Sequence, residues 1–215
     1  MKIAPIVLSL TGCLVLIPPG LATERIALSP NEKVAGISQS EWSAAWWQWA
    51  GSFDRKESPI ADSSGERCQL SQTGPVWFLA GTYGTKRTIR TCKVPHNKYL
   101  FFPLINYVSM PNAGKDCNCT CDMVKAYAKS LTDNPAMLIL EVDGHRVENL
   151  EAYRQATKKC FDMGAKTPEK YKIFPSAADG YYVMLPPLNP GKHVLNFGGA
   201  LPSMFQAVTY TLEVE

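Results

Sequence analysis

Pro75-Val76-Trp77-Phe78-Leu79-Ala80-Gly81, Thr88-Ile89-Arg90-Thr91-Cys92-Lys93-Val94 and Tyr99-Leu100-Phe101-Phe102-Pro103-Leu104-Ile105 follow one another closely along the chain. Each run is short, rich in β-branched or aromatic residues and bounded by Gly, Pro or Asn, the pattern of strands in a pleated, half-buried surface. The same pattern returns downstream. Ala136 to Val142 is an apolar strand that turns at Asp143-Gly144, a dipeptide tolerant of positive φ, into His145-Arg146-Val147. Gly180 to Leu185, Lys192 to Phe197 and Ala207 to Val214 follow, and Val208, Tyr210, Leu212 and Val214 share one face of the last. Pro186 to Gly191 is a stiff turn. About seven or eight short strands against two helices predict a mainly β fold, a single β-sandwich of Ig-like or jelly-roll-like type, because an α/β sheet needs a helix after each strand.

The first helix starts at Ser38-Gln39-Ser40-Glu41, a capping box in which the Ser hydroxyl and the Glu carboxylate each satisfy a free backbone donor. It is predicted from about Gln39 to Ser52. Trp42, Trp46, Trp49 and Phe53 fall at i, i+4, i+7 and i+11, one face at a period of 3.6, which reads as core packed on a sheet. Trp47 stands off that face beside Ser43 and Ala50, and is expected to be exposed and able to stack on a sugar ring or a partner protein. A second helix is predicted from Cys121 to Leu131, capped by Thr120, with Val124, Tyr127, Ala128 and Leu131 inward. Residues 54–74 are loop, and 149–176 are irregular with a short helix around Leu150 to Ala156.

Ahead of these elements, Met1-Lys2 is followed by no charged residue until Glu24, and Gly20-Leu21-Ala22 places small residues where a signal peptidase requires them. Residues 1–22 are read as a signal peptide cleaved after Ala22, 23–37 as a lead-in and 38–215 as one domain. Lipid attachment at Cys13, within Leu10-Thr11-Gly12-Cys13, is the rival, disfavoured by the apolar residues that follow it. An uncleaved anchor is disfavoured by Pro5, Pro18, Pro19 and Gly20. The mature chain is thus expected in the periplasm or secreted, with no stable membrane span. Its Lys and Arg are scattered at a formal charge of +3 for the whole chain, which gives no footprint for nucleic acid.

Removal of the signal leaves Cys68, Cys92, Cys117, Cys119, Cys121 and Cys160, an even set that reads as disulfides in an exported chain. Six cysteines allow 15 pairings. A Cys68–Cys92 bridge would tie the entry loop to a strand, a closure worth roughly 3 kcal/mol in the entropy model. Cys117, Cys119 and Cys121 cannot all pair among themselves, so one arrangement joins a cluster member to Cys160 and the other two to each other. The alternative is that the cluster binds a soft metal or does thiol-redox chemistry, although the usual paired zinc spacing is missing.

The blocks Gly74 to Gly81, Arg90-Thr91-Cys92-Lys93-Val94-Pro95, Lys98 to Pro103, Ala178-Asp179-Gly180-Tyr181-Tyr182, Pro187 to His193 and Val208 to Leu212 resemble a widespread group of exported bacterial proteins without established activity. The resemblance spans nearly the whole mature chain and implies one domain. It assigns no site residue, and the Cys117/Cys119/Cys121 cluster departs from the group's pattern.

No nucleophile elbow, phosphate loop, dinucleotide fingerprint or His-Glu-x2-His motif is present. The expected function is therefore a non-catalytic, envelope-associated binding protein recognising carbohydrate or a protein partner through aromatic residues. Trp47, Trp77 and His193 are the candidate binding residues, and no cofactor is implied. A hydrolase is the rival from another class. It requires at least two of His96, His145, His193, Asp62, Asp143 and Asp179 to meet in a cleft, with Glu66 a further loop acid to inspect.

Overall fold

The computed structural model describes residues 25–84, 86–111, 117–167 and 172–215. The expected signal peptide, Cys13 and the first two residues of the lead-in lie outside the described residues. Two sheets pack face to face. One runs in the order β1 (Val76–Phe78), β3 (Tyr99–Ser109), β7 (Ala177–Leu185), β6 (Arg154–Ala156). The other runs β2 (Arg87–Val94), β9 (Met204–Val214), β8 (Gly191–Leu201), β4 (Met137–Val142), β5 (His145–Arg146). Pairings are antiparallel except β1 with β3 and β2 with β9. The β4–β5 turn takes positive φ at both Asp143 (51°) and Gly144 (81°), as that dipeptide predicts.

β6 is the strand the sequence reading missed. Only Leu150–Tyr153 forms a 3-10 turn, and Arg154–Ala156 then pairs with Tyr181–Asp179 instead of continuing a helix. Arg154 anchors it: Nε donates to Asp179 at 2.8 Å and Nη1 to Asp133 at 2.6 Å. A three-residue strand whose partner lies about 25 residues away leaves no local period to read.

Alternation along the strands divides the interior in two. Trp77, Leu100, Phe102, Tyr181, Val183 and Leu185 face the second sheet and meet Leu140, Leu195, Phe197, Tyr210 and Leu212 between the layers. Val76, Phe78, Phe101, Tyr182 and Met184 face the opposite way. They are covered by α1 (Gln39–Ala50) through Trp42, Trp46 and Trp49, so β7 is buried along its whole length. Each such large side chain removed from water contributes about 1.5–3 kcal/mol.

The capping box at Ser38 forms as its sequence dictates: Glu41 N donates to Ser38 Oγ at 3.3 Å and Ser38 N to Glu41 Oε2 at 2.9 Å. Every tryptophan on α1 places its indole N–H, with Trp42 on Val34 O, Trp46 on Leu79 O and Trp49 on Leu70 O. The rest of the helix is not free either. Ser40 Oγ bonds Ala156 O and Gln48 Nε2 bonds Asp162 O, so residues 156–162 cover it and bury Ser43. The lead-in is likewise docked, with Leu28 N donating to Met184 O at 2.8 Å and Val34 buried.

Thr120 caps α2 (Cys121–Thr132), whose inward stripe is Val124, Ala128 and Thr132 at strict four-residue steps. Tyr127, expected inward, lies off that stripe and is 57% exposed, while Leu131 is half-buried. Disulfides join Cys68–Cys92, Cys121–Cys160 and Cys117–Cys119. The first is buried in the inter-sheet core, and the second ties the start of α2 to the segment after β6. Three such bonds point to an oxidising environment. No helix among the described residues is long and apolar enough to cross a membrane.

Candidate functional site

The outer face of the first sheet carries the site with the most uncommitted chemistry. Tyr182 on β7 is fully buried, and its hydroxyl accepts from Trp47 Nε1 at 3.0 Å and from Asn106 Nδ2 at 3.1 Å. Burial pushes its phenol well above the ordinary value, and the hydrogen bonds from Asn106 and Trp47 oppose this only in part. Asn106 pairs with Gly180 across the sheet, and a Cβ at Gly180 would stand 2.5 Å from the Asn106 Cα. Glycine there lets the two backbones approach, which seats Asn106 beside the phenol. Trp47 is therefore half-buried and tethered, not free on the surface as the sequence suggested.

Above this base opens a concavity of about 320 Å³ whose lining includes Trp47, Arg55, Tyr83, Asn106, Tyr107 and Gln206. That volume lies at the lower end of the range for small-molecule sites. Gln206 is fully occupied: Nε2 donates to Pro103 O and Leu104 O at the β3 bulge, and Oε1 accepts from Thr82 N. It fixes the floor and links the two sheets. Arg55 is the opposite case. Its guanidinium lies 4.2 Å over the Tyr83 ring and makes no hydrogen bond or ion pair with the described residues. Behind the pocket, buried Arg90 donates to Asp62 O, Ala80 O, Gly81 O, Ile60 O and the Tyr210 hydroxyl, at 2.7 to 3.1 Å.

A second concavity, of about 790 Å³, gathers Asp143, His145 and His193 with Arg25, Arg146 and Leu188. His193 Nδ1 is 2.6 Å from Asp143 Oδ2, so two of the six candidate groups meet in a cleft, the number that the hydrolase reading requires. His193 Nε2, however, lies 2.9 Å from the Asn189 carbonyl. Both ring nitrogens face acceptors, a geometry that an imidazolium satisfies and that leaves no lone pair to take a proton from water. Burial alone would lower the pKa of His193, but the hydrogen bond to Asp143 and then that to Asn189 hold it above the ordinary value. Asp143 responds inversely: burial would raise it, and the bonds from His193 and from Val194 N hold it down. The arrangement fastens the β4–β5 turn to β8.

The remaining candidate groups are scattered. Asp62 accepts from Ser64 and Arg67 within its own loop, Glu66 is exposed, and His96 lies against Glu215 O. Asp179 is buried under Arg154 and Thr132. Trp77, a candidate binding residue, is instead buried between the sheets, since in β1 it alternates with the helix-facing Val76 and Phe78. Its indole N–H has no partner among the described residues. Cys117, Cys119 and Cys121 are all in disulfides, so none offers the thiolate a soft metal needs. No group of His, Cys, Asp and Glu among the described residues is arranged to hold a metal ion.

The residues that the sequence reading did not single out are Arg55, Tyr83, Asn106 and Tyr107. They come from the loop after α1, the loop after β1 and the body of β3, and only the sheet register and the packing of α1 bring them together. No protein-family model matches the chain, and neither does any curated protein or solved structure.

Proposed function

We propose that this chain is a non-catalytic, exported and envelope-associated binding protein of the bacterial group its sequence resembles, and that carbohydrate is bound in the pocket beside Trp47. The observation that carries the reading is the contrast inside that pocket. Trp47 is held by a buried hydrogen bond to Tyr182, which Asn106 also holds, while the Arg55 guanidinium, lying over Tyr83, makes no hydrogen bond or ion pair with the described residues. Rigid rings with adjacent free donors suit a sugar, which offers an apolar face and a rim of hydroxyls. Purified protein screened against glycans and cell-wall fractions is expected to retain a subset of them, and Trp47→Ala to lose that retention. Turnover of a model glycoside without retention of any fraction would sink the reading. Amino-terminal sequencing of the exported protein should begin at Thr23.

The thiol-redox alternative keeps one observation in its favour. The Cys117–Cys119 bond joins residues only two apart and Cys117 is exposed, so it constrains little of the fold and is open to attack. Titration with glutathione buffers, followed by alkylation and mass mapping, should then reduce this pair well before Cys68–Cys92. Equal resistance of the two would dismiss the alternative.

A further inference from the structure

The pocket beside Trp47 has a charge bias that its aromatic walls do not explain. Among the described residues that line it, Arg55 is the charged one, and no Asp or Glu is present. Two acids on neighbouring segments, Asp179 and Asp62, are spent elsewhere. Asp179, the cross-strand partner of Tyr107, is bonded to Arg154 and Thr132. Asp62 turns its carboxylate to its own loop, accepting from Ser64 N and Arg67 N. Behind the wall formed by Ala80 and Gly81, Arg90 is surrounded by carbonyl and hydroxyl dipoles, with no carboxylate at ion-pair distance among the described residues. Two positive charges near a concave, partly apolar surface sum to a positive potential inside it, and low-dielectric walls strengthen the field.

Arg55 is also placed to use that field. Its guanidinium carbon lies 4.2 Å over the Tyr83 ring, which shields it on that side, and its N–H groups bond to none of the described residues. A carboxylate matches a guanidinium edge with two parallel hydrogen bonds, the strongest pairing available to it. Resting on the reading of this pocket as a binding site, we infer that its ligand is a ring bearing a carboxylate, with the ring against the Trp47 and Tyr107 side and the carboxylate on Arg55. Such a ligand is either an acidic sugar or an aromatic acid.

Tryptophan fluorescence titrations of the purified protein with glucuronate, glucose, 4-hydroxybenzoate and 4-hydroxybenzyl alcohol separate the possibilities. At least one acid is expected to bind about tenfold or more tightly than its neutral counterpart, as a charged hydrogen bond implies. Which acid does so distinguishes the sugar from the aromatic source. Arg55→Gln should abolish that preference, because it weakens the acid about tenfold or more beyond any loss it causes for the neutral compound. The wild-type preference should also shrink as salt is raised, a readout that needs no variant. Equal or tighter binding of the neutral members overturns this inference, and where the neutral member bound is glucose the carbohydrate reading still stands. Failure of all four compounds to bind overturns the inference, and if no glycan or wall fraction is retained either, the binding reading falls with it.

Discussion

Two concavities of this protein hold similar kinds of side chain and put them to opposite use. Around His193, ring nitrogens, carboxylate and backbone groups are paired with one another. Around Trp47 the buried layer is equally well paired, but the guanidinium above it, resting on the Tyr83 ring, makes no hydrogen bond or ion pair with the described residues. A histidine beside an aspartate invites a catalytic reading, yet hydrogen-bond accounting marks that pair as a fastening. The same accounting marks the less conspicuous Arg55 as the group with something left to bind.

The comparison can be broken first at Arg90, the most heavily paired side chain described. Arg90→Met leaves carbonyls of Ile60, Asp62, Ala80 and Gly81 without their donor, and is expected to cost about 3–5 kcal/mol in denaturant unfolding. A loss below 1 kcal/mol would show that water replaces the guanidinium. Trp47→Phe tests the tether beneath the pocket: removing the donor to Tyr182 should cost about 1 kcal/mol and weaken ligand retention together. Unchanged retention at that cost would separate the tether from the site.

The His193 fastening is partly exposed and should contribute less, under about 1 kcal/mol, by Asp143→Asn in thermal unfolding. Its pH dependence has a defined sign. His193 is raised, so its contribution is complete below the ring's ordinary value of about 6.5 and is lost as pH rises through the higher folded-state value. Asp143 is lowered, so its contribution holds above about 3.9 and is lost as pH falls through the folded-state value. The pair thus helps most in mildly acid solution, and Asp143→Asn should flatten both limbs. Smallest of all is Arg55→Gln, expected within about 0.5 kcal/mol of wild type in stability. A larger loss would mean the guanidinium has a structural partner after all.

Much of the architecture was legible locally. Ser38 and Glu41 announced α1, Asp143-Gly144 announced its turn, and the alternation of Val208, Tyr210, Leu212 and Val214 placed β9 on the core. The cysteine pairing was narrowed by counting, because three thiols at alternate positions leave few ways to close. The site was much less legible. Periodicity identifies which face of an element is apolar, and so it found the Trp stripe. It does not say what covers the other face, which is why Trp47 was expected in solvent and Trp77 near a ligand. A pocket assembled from three distant segments has no signature in any one of them.

One consequence of the topology concerns the order in which the molecule can be made. β9 lies between β2 and β8 and is the partner of β2 in its sheet. Until residues 204–214 have been synthesised, β2 has no neighbour to bond, and the surface that Tyr210 and Leu212 should cover stays open. A nascent chain that has not reached residue 204 can therefore pair its first sheet, complete by Leu185, while β2 still waits for its neighbour.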